Sequence, residues 1–129
     1  MNILIVDDSE LLRRAIIRYL ELKKKFENIF EANTIAEAKE LMQKNVFDVI
    51  LFDIQMRDGS GLELVVFAHQ LTYRPFMILC SNYILPQYVK TYKKLSITNY
   101  FDKSSELDRL KTFIQGIKGN HRYNVGNIN

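Results

Sequence analysis

The chain has 129 residues, of which 47% are hydrophobic and 26% charged, and a formal net charge of +3. That is one domain's length with enough apolar side chains for a core, and it excludes a disordered or low-complexity composition. One cysteine, Cys80, excludes an intramolecular disulfide, and no apolar run approaches the roughly 18 residues of a membrane span, so a cytoplasmic protein is expected.

Ile3-Leu4-Ile5-Val6 is an unbroken apolar run ending in Asp7-Asp8. Such a run reads as a strand buried on both faces. Beyond it Leu12, Ile16, Tyr19 and Leu20 recur at i, i+4, i+7 and i+8, one face of a helix from Ser9 to Lys25. Asn28 to Ala32 forms a weaker strand. Thr34-Ile35-Ala36-Glu37 has the capping-box pattern and opens a helix whose buried face is Ala38, Leu41 and Met42. Asp48-Val49-Ile50-Leu51-Phe52-Asp53 is a second buried strand that ends in a carboxylate, and Asp58-Gly59-Ser60-Gly61 turns the chain after it. A helix from Gly61 to Leu71 carries apolar stripes on two sides, with His69 as a structural histidine.

Pro75 introduces the strand Phe76 to Cys80, which makes Cys80 a buried, inert thiol, and Ser81-Asn82 follow it. Pro86 suits the first turn of a helix whose Leu85, Tyr88, Val89 and Tyr92 face inward. Ile97 to Phe101 is the last strand, followed by Asp102-Lys103. Ser105 to Asp108 can cap a final helix bearing Leu107, Leu110, Phe113, Ile114 and Ile117, with Gly119 as its stop. Residues 119–129 are rich in Asn and Gly and are expected to form a flexible tail behind a domain of residues 1–118. The basic groups at Arg13, Arg14, Arg18, Lys23 to Lys25, Lys90, Lys93 and Lys94 read as solvated helix faces. No recognition module accompanies them, so neither nucleic acid nor membrane is expected as a partner.

Strands alternating with helices imply an α/β protein with a five-stranded, doubly wound parallel sheet and helices on both faces. In the order 2-1-3-4-5 the switch point lies between strands one and three, which brings Asp7, Asp8 and Asp53 together. Two unit charges about 4 Å apart repel by roughly 4 kcal/mol at an effective dielectric of about 20, so the cluster must bind a cation or hold a proton. Carboxylate oxygens with room for water suit Mg²⁺. Asp53 is then a carboxylate nucleophile toward phosphorus, with Ser81 as hydroxyl donor and Lys103 as point charge at neighbouring strand ends.

Ile3 to Ser9, Asp48 to Met56, Leu79-Cys80-Ser81 and Tyr100-Phe101-Asp102-Lys103 together resemble the receiver domain of two-component response regulators, over residues 2 to 118. The resemblance implies a flavodoxin-like fold and a single-domain regulator, not a turnover enzyme. Asp53 would take a phosphoryl group from a histidine kinase or phosphotransfer protein. It implies Mg²⁺ held by Asp7, Asp8, Asp53 and the Gln55 carbonyl, with Ser81, Asn82, Tyr100 and Lys103 around the phosphoryl group. The Tyr83 to Ile117 region would then be the face that changes its affinity for a downstream protein or a second copy. Arg57 stands where the family often has proline, Asn82 where a small residue is usual, and Ser104 where a proline follows the lysine and the peptide bond is typically cis. Two alternatives remain. A phosphatase of the haloacid dehalogenase type would want an aspartate at Gln55, and a receiver-like module could signal by contact without phosphate cycling.

Overall fold

The two apolar runs that end in carboxylates lie side by side in one parallel sheet. β1 (Asn2–Val6) pairs with β3 (Val49–Phe52) in the register Ile3 to Val49 through Val6 to Phe52, so the carboxylates that follow emerge at the same edge. The computed structural model describes residues 1–82 and 84–118. Within them the remaining strands of this sheet are β2 (Asn28–Ala32), β4 (Phe76–Ser81) and β5 (Tyr100–Asp102), and its order is β2-β1-β3-β4-β5, all parallel. This is the doubly wound order expected from the alternation.

Five helices connect the strands: α1 (Glu10–Lys23), α2 (Ile35–Lys44), α3 (Gly61–Ala68), α4 (Pro86–Lys94) and α5 (Leu107–Gln115). Successive strand residues point to opposite faces of a sheet, and two cores result. Ile3, Ile5, Val49, Leu51, Ile78 and Cys80 pack with Ile16 and Leu20 of α1 and Leu110 and Ile114 of α5. Leu4, Val6, Ile50, Phe52 and Leu79 face Ala38 and Met42 of α2, Leu64 and Val65 of α3 and Tyr92 of α4. Burial on both faces explains why these strands read as unbroken apolar runs. Cys80 is buried as expected, and burial pushes its thiol up to about 12. No helix among the described residues is long and apolar enough to cross a membrane.

Several local expectations are corrected. The last strand is Tyr100–Asp102 rather than Ile97 to Phe101, because the Ile97 N–H turns back to the Tyr92 carbonyl at 2.9 Å and closes the end of α4. The third helix stops at Ala68, and the Gln70 and Leu71 N–H groups bond to Phe67 and Ala68 in a tightening turn. Leu85 is the N-cap residue of α4 and is 42% exposed instead of facing inward. Glu106 is the N-cap residue of α5 without capping it by side chain, and the helix ends at Gly116. Gly119, expected to stop it, lies outside the described residues, as does the tail.

Thr34 caps α2 by accepting from the Glu37 N–H, but Glu37 reaches one residue further back, to the Asn33 N–H. A reciprocal capping box instead opens α3, between Ser60 and Glu63. No cis peptide bond occurs among the described residues, so Lys103–Ser104 is trans.

Candidate functional site

Val6 and Phe52 stand opposite one another at the carboxyl ends of β1 and β3, and the chain places Asp7-Asp8 and Asp53 immediately after them. One oxygen from each of Asp7, Asp8 and Asp53 lies within 4.8 Å of the others, an arrangement that could hold a cation. Asp7 and Asp53 are buried, whereas Asp8 is partly open to solvent.

A cation from the protein already sits among these groups. Lys103, one residue past β5, places Nζ 2.6 Å from Asp7 Oδ2 and 2.6 Å from Asp53 Oδ2. The Lys103 N–H also donates to the Ser81 carbonyl at 3.0 Å, so the backbone at the end of β4 fixes where the side chain starts. Burial pushes the ammonium down, but its hydrogen bonds to Asp53 and Asp7 outweigh that, and the net shift is upward. Burial dominates at Asp7 and raises its carboxyl above the ordinary value, although Lys103 and the Ser9 N–H both act to lower it. A carboxylate that remains strained beside its own lysine has electrostatic room for a further positive charge.

Asp7, Asp8, Asp53 and Lys103 converge directly, and Ser81, buried at the end of β4, adjoins them through its carbonyl. The Gln55 N–H lies 3.4 Å from Asp53 Oδ1 while its side chain faces solvent. Asn82 is exposed beside Ser81. Tyr100, 42% exposed, lines an open groove of about 800 Å³ between β5 and α5 with Thr98, Glu106 and Arg109. Tyr83 lies outside the described residues. His69 is exposed at the end of α3 and is no part of the acidic cluster.

The contacts of three residues were not legible in the sequence. Gln55–Met56 and Gly59–Ser60 form a small antiparallel hairpin with Arg57-Asp58 at its tip. From it Arg57 reaches Asp8, with Nη2 at 3.4 Å from the carbonyl and Nε at 4.0 Å from Oδ2. Asp58 turns the other way and accepts the Ile35 and Ala36 N–H groups at the start of α2. Arg13, on the first turn of α1, donates to the Asp7 carbonyl at 2.5 Å and pairs with Glu31. Arg57 and Asp58 owe their placement to a hairpin with no repeating pattern. Arg13 was visible as a charge, but its partner was not.

The family model for the response regulator receiver domain matches residues 3–115. A sensory transduction protein LytR from Staphylococcus epidermidis is 29% identical over 117 residues, which is 91% of this chain and 46% of that protein. A transcriptional regulatory protein LytR from Staphylococcus aureus is 27% identical, over 92% of this chain and 47% of its own. The chain thus spans about half the length of these relatives. Among solved structures, a CheY-like receiver domain protein from Methanospirillum hungatei superposes with a TM-score of 0.78 at 26% identity, covering 88% of this chain and 90% of that one. The chain belongs to the response regulator receiver domain family.

Proposed function

We propose that residues 1–118 are a phosphoryl-accepting switch in which Asp53 receives the group from a phosphohistidine of a sensor kinase or phosphotransfer protein. The observation that carries this reading is Lys103 bridging Asp7 and Asp53, 2.6 Å from each, beside the partly open Asp8. The bridge holds an Asp53 oxygen at the rim of the sheet and keeps a positive charge where phosphoryl oxygens would arrive. An Asp53 oxygen forms the new bond to phosphorus as the phosphorus–nitrogen bond of the donor breaks, and the imidazole leaves. Lys103 transfers from the carboxylates to a phosphoryl oxygen, and the Ser81 hydroxyl donates to another.

Asp7, Asp8, Asp53 and the Gln55 carbonyl are the groups that would hold Mg²⁺. When bound, the ion supplies charge neutralisation on the phosphoryl oxygens. The protein is then a stoichiometric acceptor rather than a turnover enzyme. The exposed Tyr100 and the groove beside it belong to the surface whose partner affinity changes, with Asn82 bordering the phosphoryl group. Because the matched relatives are about twice as long, a single-domain regulator is one form of this reading and a receiver feeding a further segment is the other.

Intact-protein mass after incubation with Mg²⁺ and acetyl phosphate tests the reading. Wild type should gain one phosphoryl group, while Asp53→Asn and a chelator-treated sample should gain none. No adduct with either acetyl phosphate or a phosphorylated histidine kinase would favour the phosphate-independent module instead.

A further inference from the structure

Arg57 occupies the tip of the hairpin that follows the phosphoacceptor strand, and its position is not left to chance. Antiparallel pairing, with Gln55 opposite Ser60 and Met56 opposite Gly59, fixes both arms. Asp58, the other tip residue, is anchored on α2 by two N–H groups at 2.8 and 3.1 Å. With its neighbours held, Arg57 spans Asp8, touching the carbonyl at 3.4 Å and approaching the carboxylate at 4.0 Å. Asp8 is the most open of the three clustered carboxylates, with 29% of its side chain exposed, so it is the side from which a cation would enter.

We propose that Arg57 is a built-in counter-cation that competes with Mg²⁺ for Asp8 and raises the Mg²⁺ concentration the site needs; the proposal rests on the phosphoacceptor reading above. Lys103 bridges the buried pair Asp7 and Asp53 from within, and Arg57 covers Asp8 from outside. A divalent ion ligated by Asp8 meets the guanidinium's charge and has to push it back from its place 4.0 Å from Oδ2. The contact is largely solvent-exposed, with the Arg57 side chain 70% exposed, so the competition is a tuning effect rather than a block.

Backbone amide shifts of ¹⁵N-labelled protein titrated with Mg²⁺ alone measure the effect without any phosphorylation step. Arg57→Met should tighten Mg²⁺ binding by about two- to fivefold, the span expected of an exposed ion pair. Arg57→Lys separates contact from field, because it keeps the charge and loses the two-pronged reach of the guanidinium. If competition is by contact, Arg57→Lys also tightens binding, by at least half as much on a logarithmic scale. Tightening in Arg57→Met alone would show a through-space field and overturn the proposal, as would wild-type affinity in both variants. Should wild type and both variants all fail to bind Mg²⁺, the cation site itself is refuted, and the metal-dependent reading above falls with it.

Discussion

Gly61 stands against the Asp53 carbonyl with no room for a side chain: a Cβ there would lie 2.1 Å from that oxygen and 2.8 Å from the Phe52 ring. Backbone and a buried aromatic ring are both poor at yielding. Gly61→Ala should therefore destabilise the fold by about 1–3 kcal/mol, the range for overpacking, and shift the Asp53 backbone. Urea unfolding reads the first effect, and the yield of acetyl-phosphate labelling reads the second.

Lys103→Met removes the counter-charge that Asp7 and Asp53 share. In the wild-type fold Asp7 lies above its ordinary value of 3.8 because of burial, so its protonation favours the folded state; that contribution is full below about pH 3.8 and fades as pH rises through the folded value. Lys103 is raised above 10.5 by its carboxylate bonds, so its contribution is full below that pH and is lost in the alkaline range above it. Without the lysine, the Asp7 pKa should climb further, visible in a carboxyl ¹³C titration. The neutral-pH loss, about 1–3 kcal/mol, should shrink when Mg²⁺ is added. An unchanged Asp7 titration would contradict the shared bridge.

Asp58 is held below its ordinary 3.8, first by the Ile35 N–H and then by that of Ala36. A depressed carboxylate contributes stability above its unfolded value and loses it as pH falls through the folded one. Asp58→Asn should thus melt below wild type at pH 7, and the two curves should converge as pH drops below 3.8. Parallel curves across the whole range would refute the anchoring of the hairpin on α2.

Ser96 adopts φ 68° between α4 and β5, and Lys24 adopts φ 53° at the end of α1. Side chains other than glycine pay for the left-handed region, by about 1–2 kcal/mol at each position. Ser96→Gly should raise the thermal midpoint, with part of the gain offset by the greater freedom of glycine in the unfolded chain. A lowered midpoint by calorimetry would contradict this.

The sheet was legible because its strands are buried on both faces, and Ile3 to Val6 and Val49 to Phe52 carry that burial in their composition. Asp7, Asp8 and Asp53 follow from strand order alone, since the switch point places adjacent strand ends together. What the sequence concealed were contacts set by tertiary direction rather than by period. The last strand began three residues late because Ile97 is apolar for α4, not for the sheet. Leu85 fits a helical stripe yet stands at an N-cap, where the stripe has not begun. Arg57 was legible only as a residue standing where the family often has proline, and it is the hairpin that aims it at Asp8.

Cys80 lies one residue from Ser81, sealed between the sheet and its helices, with a thiol pushed to about 12. At neutral pH such a sulfur is silent toward alkylating reagents, and it becomes reactive only when β4 leaves the core. The molecule therefore carries its own chemical stopwatch. Pulses of a thiol reagent would count openings of the central sheet, and any ligand that tightens the rim around Asp53 should lengthen the interval between them.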